Sequence, residues 1–179
     1  MTDLIIRKAT KTDLNSVAAV YEAILDNEDK TGIVYTNWAR GKYPTISDAE
    51  KAFDADTLYV GTVGDKIIGS FNLNHIQPEE YSKLSWCVEA EGNEVLVIHT
   101  LSILPEYMGC GFGKVFVDFA ENHAEKLGCK TIRLDTYEGN LPACKMYPKL
   151  GYNYAGSAHF IFQGVISEVL KCYDKDLRK

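Results

Sequence analysis

The amino-acid sequence predicts a mixed α/β fold whose sheet contains both antiparallel strands and one parallel pair. Two patterns carry this prediction. An apolar strand, a glycine-rich loop, an amphipathic helix and a second strand follow one another over residues 95–136, and a crossover of this kind joins parallel strands. Two earlier apolar runs flank a short turn at Gly64, which predicts an antiparallel hairpin.

Size and charge limit the possible functions. The 179 residues, 46% of them hydrophobic, suffice for one buried core, so we predict a single domain over residues 1–179. Nineteen Lys and Arg against 25 Asp and Glu give a net charge of −6 without a basic run, so we expect no nucleic-acid partner.

No apolar run reaches the roughly 18 residues that cross a bilayer, and no leader pattern opens the chain, so we expect a cytoplasmic protein without a membrane partner. The five cysteines are dispersed, which predicts free thiols and no metal site.

The chain opens with a strand predicted over residues 4–9, followed by a helix that Thr12 or Asp13 is expected to cap. Apolar residues at helical spacing define its buried face: Leu14, Val17, Val20, Tyr21, Ile24 and Leu25. The polar segment 28–43 is predicted to be a loop. A short helix with Ser47 as its cap comes next, and then the hairpin strands 57–63 and 67–73.

A glycine loop (residues 108–114) separates the central strand, Val95–Ile103, from a helix that begins at about Phe112. Its glycines at positions 109, 111 and 113 allow backbone N–H groups to approach a ligand, and the first N–H groups of a helix have no helical partners. The loop therefore suits a phosphate or pyrophosphate, with Lys114 adding positive charge. The spacing fits neither the dinucleotide fingerprint nor the P-loop.

The remaining elements follow the same patterns. The helix after the loop is predicted to end at Gly128 and to bury Phe112, Val115, Phe116, Phe119, Ala120, Ala124 and Leu127. A strand over residues 131–136 and a short helix over residues 142–150, ended by Gly151, come next. Two final strands are predicted at residues 152–162 and 167–173.

Several of these motifs, taken together, resemble the GNAT superfamily of N-acetyltransferases, which depend on acetyl-coenzyme A. The resemblance rests on residues 101–107, the glycine loop, Leu134 with Asp135, Asn140, Ala143, Tyr147 and residues 150–152. It implies a central, mostly antiparallel sheet whose parallel pair splays apart at the coenzyme site, with helices on both faces. It also implies acetyl-coenzyme A as co-substrate.

The resemblance further implies which residues bind the coenzyme. The backbone of the central strand would lie beside the pantetheine arm, where one N–H group polarises the thioester carbonyl. The glycine loop would hold the pyrophosphate. The implied contacts are Leu101, Ser102, Ile103, Gly109, Cys110, Gly111, Phe112, Gly113, Lys114 and Asn140.

The resemblance also implies two catalytic residues, with Asp135 as the base that accepts a proton from the amine and Tyr147 as the acid that protonates the leaving thiolate. His99 is an alternative base, because it lies on the central strand and an imidazole has a suitable pKa. Glu94, acting through water, is a third. Each of these residues also has a purely structural interpretation; for Asp135 it is an ion pair with Arg133.

The acceptor is expected to be a small-molecule amine or a peptide amine, and the strands at the C-terminus are compatible with a homodimer. A second polar segment, 77–92, is also predicted to be a loop. Aromatic residues in the two polar segments either line the acceptor cleft or anchor these segments to the core: Trp38, Tyr43, Tyr81 and Trp86. Two residues depart from the family pattern, Met108 in place of a polar anchor and Pro148 directly after Tyr147. They motivate an alternative function, a regulatory module that binds coenzyme A without catalysis.

Overall fold

The computed structural model describes residues 4–162, 164 and 166–178, and the other residues of the predicted 1–179 domain lie outside this part. The strands are β1 (Leu4–Lys8), β2 (Leu58–Val63), β3 (Lys66–Asn74), β4 (Val95–Ile103), β5 (Thr131–Tyr137), β6 (Asn153–Phe162) and β7 (Ile166–Asp176). The α-helices are α1 (Leu14–Thr31), α2 (Ile46–Asp54), α3 (Phe112–Lys126) and α4 (Leu141–Lys149). None of the helices in the described residues is long and apolar enough to span a membrane.

Within the described residues, seven strands form an open sheet in the order β1-β2-β3-β4-β5-β7-β6. Strands β4 and β5 are parallel and pair over Val95–Ile98 and Thr131–Leu134. The pairs β1–β2, β2–β3, β5–β7 and β6–β7 are antiparallel. The predicted fold class, a mixed and mostly antiparallel sheet with one parallel pair, is therefore confirmed.

The chain divides into two compact units, and the first contains residues 4–33, 38–73 and 99–119. On one side of its strands, α1 and α2 bury Val17, Tyr21 and Ala49 against Leu58 and Val60. This burial explains why the apolar residues of α1 recur at helical spacing.

Two glycines of the first unit make room for the start of α3. A Cβ at Gly61 would lie 2.4 Å from Cζ of Phe116. A Cβ at Gly69 would lie 3.0 Å from the same Phe116 atom and 2.4 Å from the backbone oxygen of Ser102. These contacts leave no room for a larger residue at either position. Phe116 therefore packs directly against the backbone of β2 and β3, which fixes the helix that follows the glycine loop.

The second unit contains residues 34–37, 74–98 and 120–178. Its core joins the segment before β4 to the last two strands, and its buried members are Tyr81, Val95, Val97, Phe160, Leu170 and Cys172. The segment 77–92 was predicted only as a loop. In the structure it places Tyr81 inside the core, in a short 3-10 helix, Glu79–Lys83.

Three details of the sequence prediction are wrong. Helix α1 continues to Thr31 and ends at Gly32 with φ 69°, so the loop does not start at residue 28. Helix α2 is capped by Thr45 and not by Ser47, because the N–H and hydroxyl of Thr45 donate to Asp48 at 2.7 and 2.9 Å. Val115 in α3 and Leu127, directly after the helix, are 39% and 50% exposed although burial was predicted.

The predicted ends of the later helices are confirmed. Gly128 and Gly151 have φ values of 77° and 85°, the left-handed conformation that glycine adopts without steric cost. Helix α4 includes Pro148 and reaches Lys149. The proline therefore does not end the helix at Tyr147.

Candidate active site

The second half of β4 contains a break in regular strand geometry. Thr100 has φ 51°, which is rare for a β-branched residue, and its hydroxyl forms a 2.8 Å hydrogen bond with that of Tyr43. The parallel pairing of β4 ends at Ile98, two residues before Thr100. The sequence pattern gave no sign of this break, which interrupts the regular alternation of side chains along β4 between His99 and Leu101.

Residues 101–103 follow this break, and their side chains serve the fold. The Ser102 side chain is buried, and its hydroxyl lies 3.0 Å from that of Ser70. Leu101 and Ile103 are half-buried. The resemblance assigns the ligand contacts of this segment to its backbone.

The glycine loop forms the turn between β4 and α3. Gly109 and Gly111 have φ values of 76° and 85°, which other residues adopt only with strain. The N–H groups of Met108, Cys110 and Lys114 donate to carbonyl groups within the turn, at 3.1, 3.4 and 3.1 Å. The N–H groups of residues 109 and 111–113 have no acceptor among the described residues. Four unused donors at a helix N-terminus fit an anionic group such as a pyrophosphate.

Side chains add little positive charge to this loop. Lys114 forms an ion pair with Asp118, one turn along α3. Met108, which replaces the expected polar anchor, is 40% exposed. Phe112 packs against Tyr107 with ring centroids 5.9 Å apart, and Cys110 is an exposed free thiol. Backbone donors are therefore the main feature of the loop that attracts an anion.

In the second unit, Asp135 is held by Tyr81. The Tyr81 hydroxyl donates a 2.7 Å hydrogen bond to Oδ2 of Asp135. Burial raises the pKa of Asp135 to about 6, the hydrogen bond from Tyr81 opposes this rise, and the charge of Glu80 adds to it. A half-buried carboxylate with this pKa is ionised at neutral pH and can still accept a proton.

Arg133 does not pair with Asp135, which was the structural interpretation left open by the sequence. Its guanidinium lies 4.3 Å from the ring centroid of Trp86 and donates to the Val88 carbonyl at 2.8 Å. Trp86 in turn donates from Nε1 to the Tyr81 carbonyl at 2.9 Å. Trp86 and Arg133 therefore support the segment that carries Tyr81.

Tyr147 and Asn140 both lie on α4. Tyr147 is buried, with its ring centroid 5.6 Å from that of Tyr173. Burial, and then the charge of Asp135, raise the pKa of Tyr147, so its hydroxyl keeps its proton at neutral pH. Asn140 is the N-cap of the helix and accepts from the Ala143 N–H at 3.2 Å. Its side-chain oxygen thus already has a structural partner.

The remaining predicted residues differ in burial and in their contacts. Trp38 packs edge-on against Tyr21 at 5.8 Å and joins the core of the first unit, which corresponds to the anchoring interpretation. His99 lies half-buried on β4. Glu94 forms an exposed ion pair with Lys130 at 2.5 Å that lowers its pKa, which makes it a weak base. No group of metal-ligating side chains occurs among the described residues.

Sequence reasoning missed Glu168 on β7, which is only 7% exposed. Burial, and then the charge of Asp135, raise the pKa of Glu168 to about 7. A signal was present in the sequence, since Glu168 occupies an inward position in the alternation that buries Ile166, Leu170 and Cys172. A carboxylate at such a position is unusual.

A family model described as the acetyltransferase (GNAT) family matches residues 19–152. The chain belongs to this family. A GNAT-family structure from Streptococcus agalactiae has a TM-score of 0.80 at 22% identity, covering 98% of this chain and 96% of that chain. The yncA protein of Salmonella typhimurium, solved with its cofactor acetyl-CoA, has a TM-score of 0.69 at 12% identity, covering 98% of this chain and 95% of that chain.

A curated relative is an uncharacterised N-acetyltransferase of Methanocaldococcus jannaschii, which is 26% identical over 147 residues. The match covers 82% of this chain and 59% of that protein. The chain therefore spans well under two thirds of the length of this relative.

Proposed function

We propose that this protein transfers the acetyl group of acetyl-coenzyme A to a primary amine by direct attack in a ternary complex. Membership of the acetyltransferase family supports acetyl-coenzyme A as the donor. The observation that carries the choice of an amine is the contact between Tyr81 and Asp135. A carboxylate with a pKa of about 6 suits a base that takes a proton near neutrality.

The coenzyme would be bound mainly by backbone groups. The unused N–H groups of residues 109 and 111–113 would hold the pyrophosphate. The backbone of residues 101–103 would lie beside the pantetheine arm, with one N–H group directed at the thioester carbonyl oxygen. In this proposal the amide groups bind the negative charge, and Lys114, already paired with Asp118, contributes less.

The reaction forms one carbon–nitrogen bond and breaks one carbon–sulfur bond. An alkylamine has a pKa near 10 and is mostly protonated at neutral pH, so it must lose a proton before or during attack on the thioester carbon. Asp135 would accept that proton. The coenzyme sulfur leaves with the bonding electron pair and takes a proton, for which Tyr147 is the proposed donor.

The Tyr147 hydroxyl is protonated at neutral pH, as a donor must be, although its raised pKa makes it a weaker acid than an exposed tyrosine. Its contribution would be a proton delivered as charge develops on sulfur. We expect Tyr147→Phe to lower kcat by about tenfold or more while the affinity for coenzyme A changes little. If the variant keeps the wild-type kcat, Tyr147 is not the acid.

His99 is the competing base, and one experiment compares it with Asp135. Thiol release from acetyl-coenzyme A is measured from about pH 5 to pH 9 for the wild type, Asp135→Asn and His99→Ala, with one amine at a fixed concentration. We expect Asp135→Asn to remove the rising limb near pH 6. If only His99→Ala removes it, His99 is the base.

The same assay tests the regulatory alternative. A panel of monoamines, diamines, amino acids and peptides is screened for thiol release, and coenzyme A binding is measured by calorimetry. Turnover with at least one amine supports the proposed function. Tight coenzyme binding without turnover on any amine would support a non-catalytic module.

A further inference from the structure

Arg133 and Asp174 form a buried pair of opposite charges next to the segment 77–92. They are register partners on β5 and β7, so their side chains are neighbours on one face of the sheet. Their residues are only 4% and 0% exposed. Buried pairs of opposite charge contribute little to stability on average, because the desolvation of the charges offsets their attraction. Stability alone therefore does not explain this pair.

The two charges hold both backbone polar groups of Val88, which lies in the segment 77–92. Oδ2 of Asp174 accepts hydrogen bonds from the N–H groups of Cys87 and Val88, at 2.9 and 3.2 Å. The guanidinium of Arg133 donates to the Val88 carbonyl at 2.8 Å. Another nitrogen of the same guanidinium donates to the side chain of Gln77. The pair therefore attaches two distant points of the segment to the sheet.

Trp86 connects this attachment to Tyr81. The guanidinium of Arg133 lies 4.3 Å from the centroid of the Trp86 ring, and Nε1 of Trp86 donates to the Tyr81 carbonyl at 2.9 Å. The rings of Trp86 and Tyr81 also contact each other, with centroids 4.8 Å apart. Arg133 and Asp135 are two residues apart on β5 and share one face of the strand. Trp86 and Tyr81 therefore cover adjacent positions on that face.

The position of the Tyr81 hydroxyl matters because it donates to Asp135. Titratable groups face Asp135 from three elements, namely the segment 77–92 (Glu80 and Tyr81), β7 (Glu168 and Cys172) and α4 (Tyr147). None of these groups is a cation. Among the described residues, only the hydrogen bond from Tyr81 lowers the pKa of Asp135. A displaced Tyr81 hydroxyl would therefore leave this carboxylate harder to ionise.

We propose that Arg133 and Asp174 are positioning residues, which hold residues 86–88 in place so that the Tyr81 hydroxyl stays on Asp135. Through Tyr81 they would set the pH range in which Asp135 accepts a proton. The proposal rests on the proposed function, in which Asp135 is the base. The competing explanation is that packing of the Tyr81 ring against Phe160 in the core holds the hydroxyl without their help.

The test replaces Arg133 with lysine, which keeps the positive charge but loses the planar fork that stacks on Trp86. Arg7→Lys is the matched control, because the Arg7 guanidinium also donates two hydrogen bonds, to Asp13 at 2.6 and 3.1 Å. The pKa of Asp135 is measured by a pH titration of its 13C-labelled carboxyl resonance, which is assigned by its loss in Asp135→Asn. We expect this pKa to rise by about half a unit or more in Arg133→Lys and to stay unchanged in the control.

A double variant tests whether Arg133 acts through Tyr81. In Arg133→Lys combined with Tyr81→Phe, the pKa of Asp135 should equal that of Tyr81→Phe alone, because the connecting hydroxyl is already absent. A further rise in the double variant would show that Arg133 acts on Asp135 by another route and would contradict the proposal. If Arg133→Lys does not fold, Trp86→Phe decides in its place, since it removes only the Nε1 donor to the Tyr81 carbonyl.

An unchanged pKa of Asp135 in Arg133→Lys overturns the proposal, and packing of the Tyr81 ring is then sufficient. This measurement needs no turnover, so kinetics separate its result from a failure of the proposed function. A rising limb of kcat/KM that moves together with the measured pKa supports both proposals. A pKa that rises while the limb stays in place supports the positioning role and shows that Asp135 is not the base.

Discussion

Replacing Tyr81 with phenylalanine removes the hydroxyl that donates to Asp135 at 2.7 Å and keeps the ring in the core. That hydrogen bond favours the ionised carboxylate and lowers its pKa, whereas burial raises it. Tyr81→Phe should therefore raise the pKa of Asp135 further. If Asp135 accepts the amine proton, the change becomes visible in the pH dependence of the reaction.

The size of the pKa shift follows from the charge on Asp135, which accepts the hydrogen bond. A hydrogen bond to a charged group contributes about 1.5–3 kcal/mol, and about 1.36 kcal/mol corresponds to one pKa unit, so the shift is about one to two units. The pKa of Asp135 would move from about 6 to roughly 7 to 8. Because less of the carboxylate is then ionised, kcat/KM at pH 7 should fall about two- to tenfold.

The assay is thiol release from acetyl-coenzyme A with one amine over the whole pH range. Tyr154→Phe is the control, since Tyr154 is exposed and its hydroxyl forms a 2.7 Å hydrogen bond with the Ser157 hydroxyl. We expect the rising limb of kcat/KM to move to higher pH in Tyr81→Phe and to stay in place in the control. A limb that stays in place in Tyr81→Phe, or moves to lower pH, would refute the assignment of Asp135 as the base.

Three further predictions concern stability. Gly69→Ala brings a Cβ to 2.4 Å from the Ser102 backbone oxygen, and we expect a loss of about 1–3 kcal/mol in urea unfolding; an unchanged midpoint would show that the strands yield freely. Asn140→Ala removes the α4 cap and should cost about 1 kcal/mol, while Asn140→Ser should recover most of it; equal losses in both variants would contradict a capping role. Burial raises the pKa of Glu168 from 4.5 to about 7, so between these pH values the folded protein holds a proton that the unfolded chain has released. The free energy of unfolding should therefore decrease as pH rises through this window, and Glu168→Gln should flatten that slope; an identical slope in the variant would contradict the burial argument.

The candidate site was predictable in part because some of its features are local. The glycine loop follows a strand and opens a helix, and this order alone indicates an anion-binding turn. The resemblance then supplied its coenzyme. The contact of Tyr81 with Asp135 was not predictable, since 54 positions of sequence separate the two residues and no periodicity relates them. The roles of all these residues remain predictions that the experiments above test.

Strands, helices and their ends were determined largely by the sequence alone. Alternation of apolar residues sets the bounds of β4 and of the hairpin strands β2 and β3. Helical spacing and the left-handed glycines Gly128 and Gly151 set the ends of the helices. These signals act over a few residues. Tertiary structure alone decided the left-handed conformation of Thr100 and the hydrogen bond from Tyr81 to Asp135. Both depend on packing between segments that are distant in the chain, whereas the glycine loop is a local feature that the sequence shows directly.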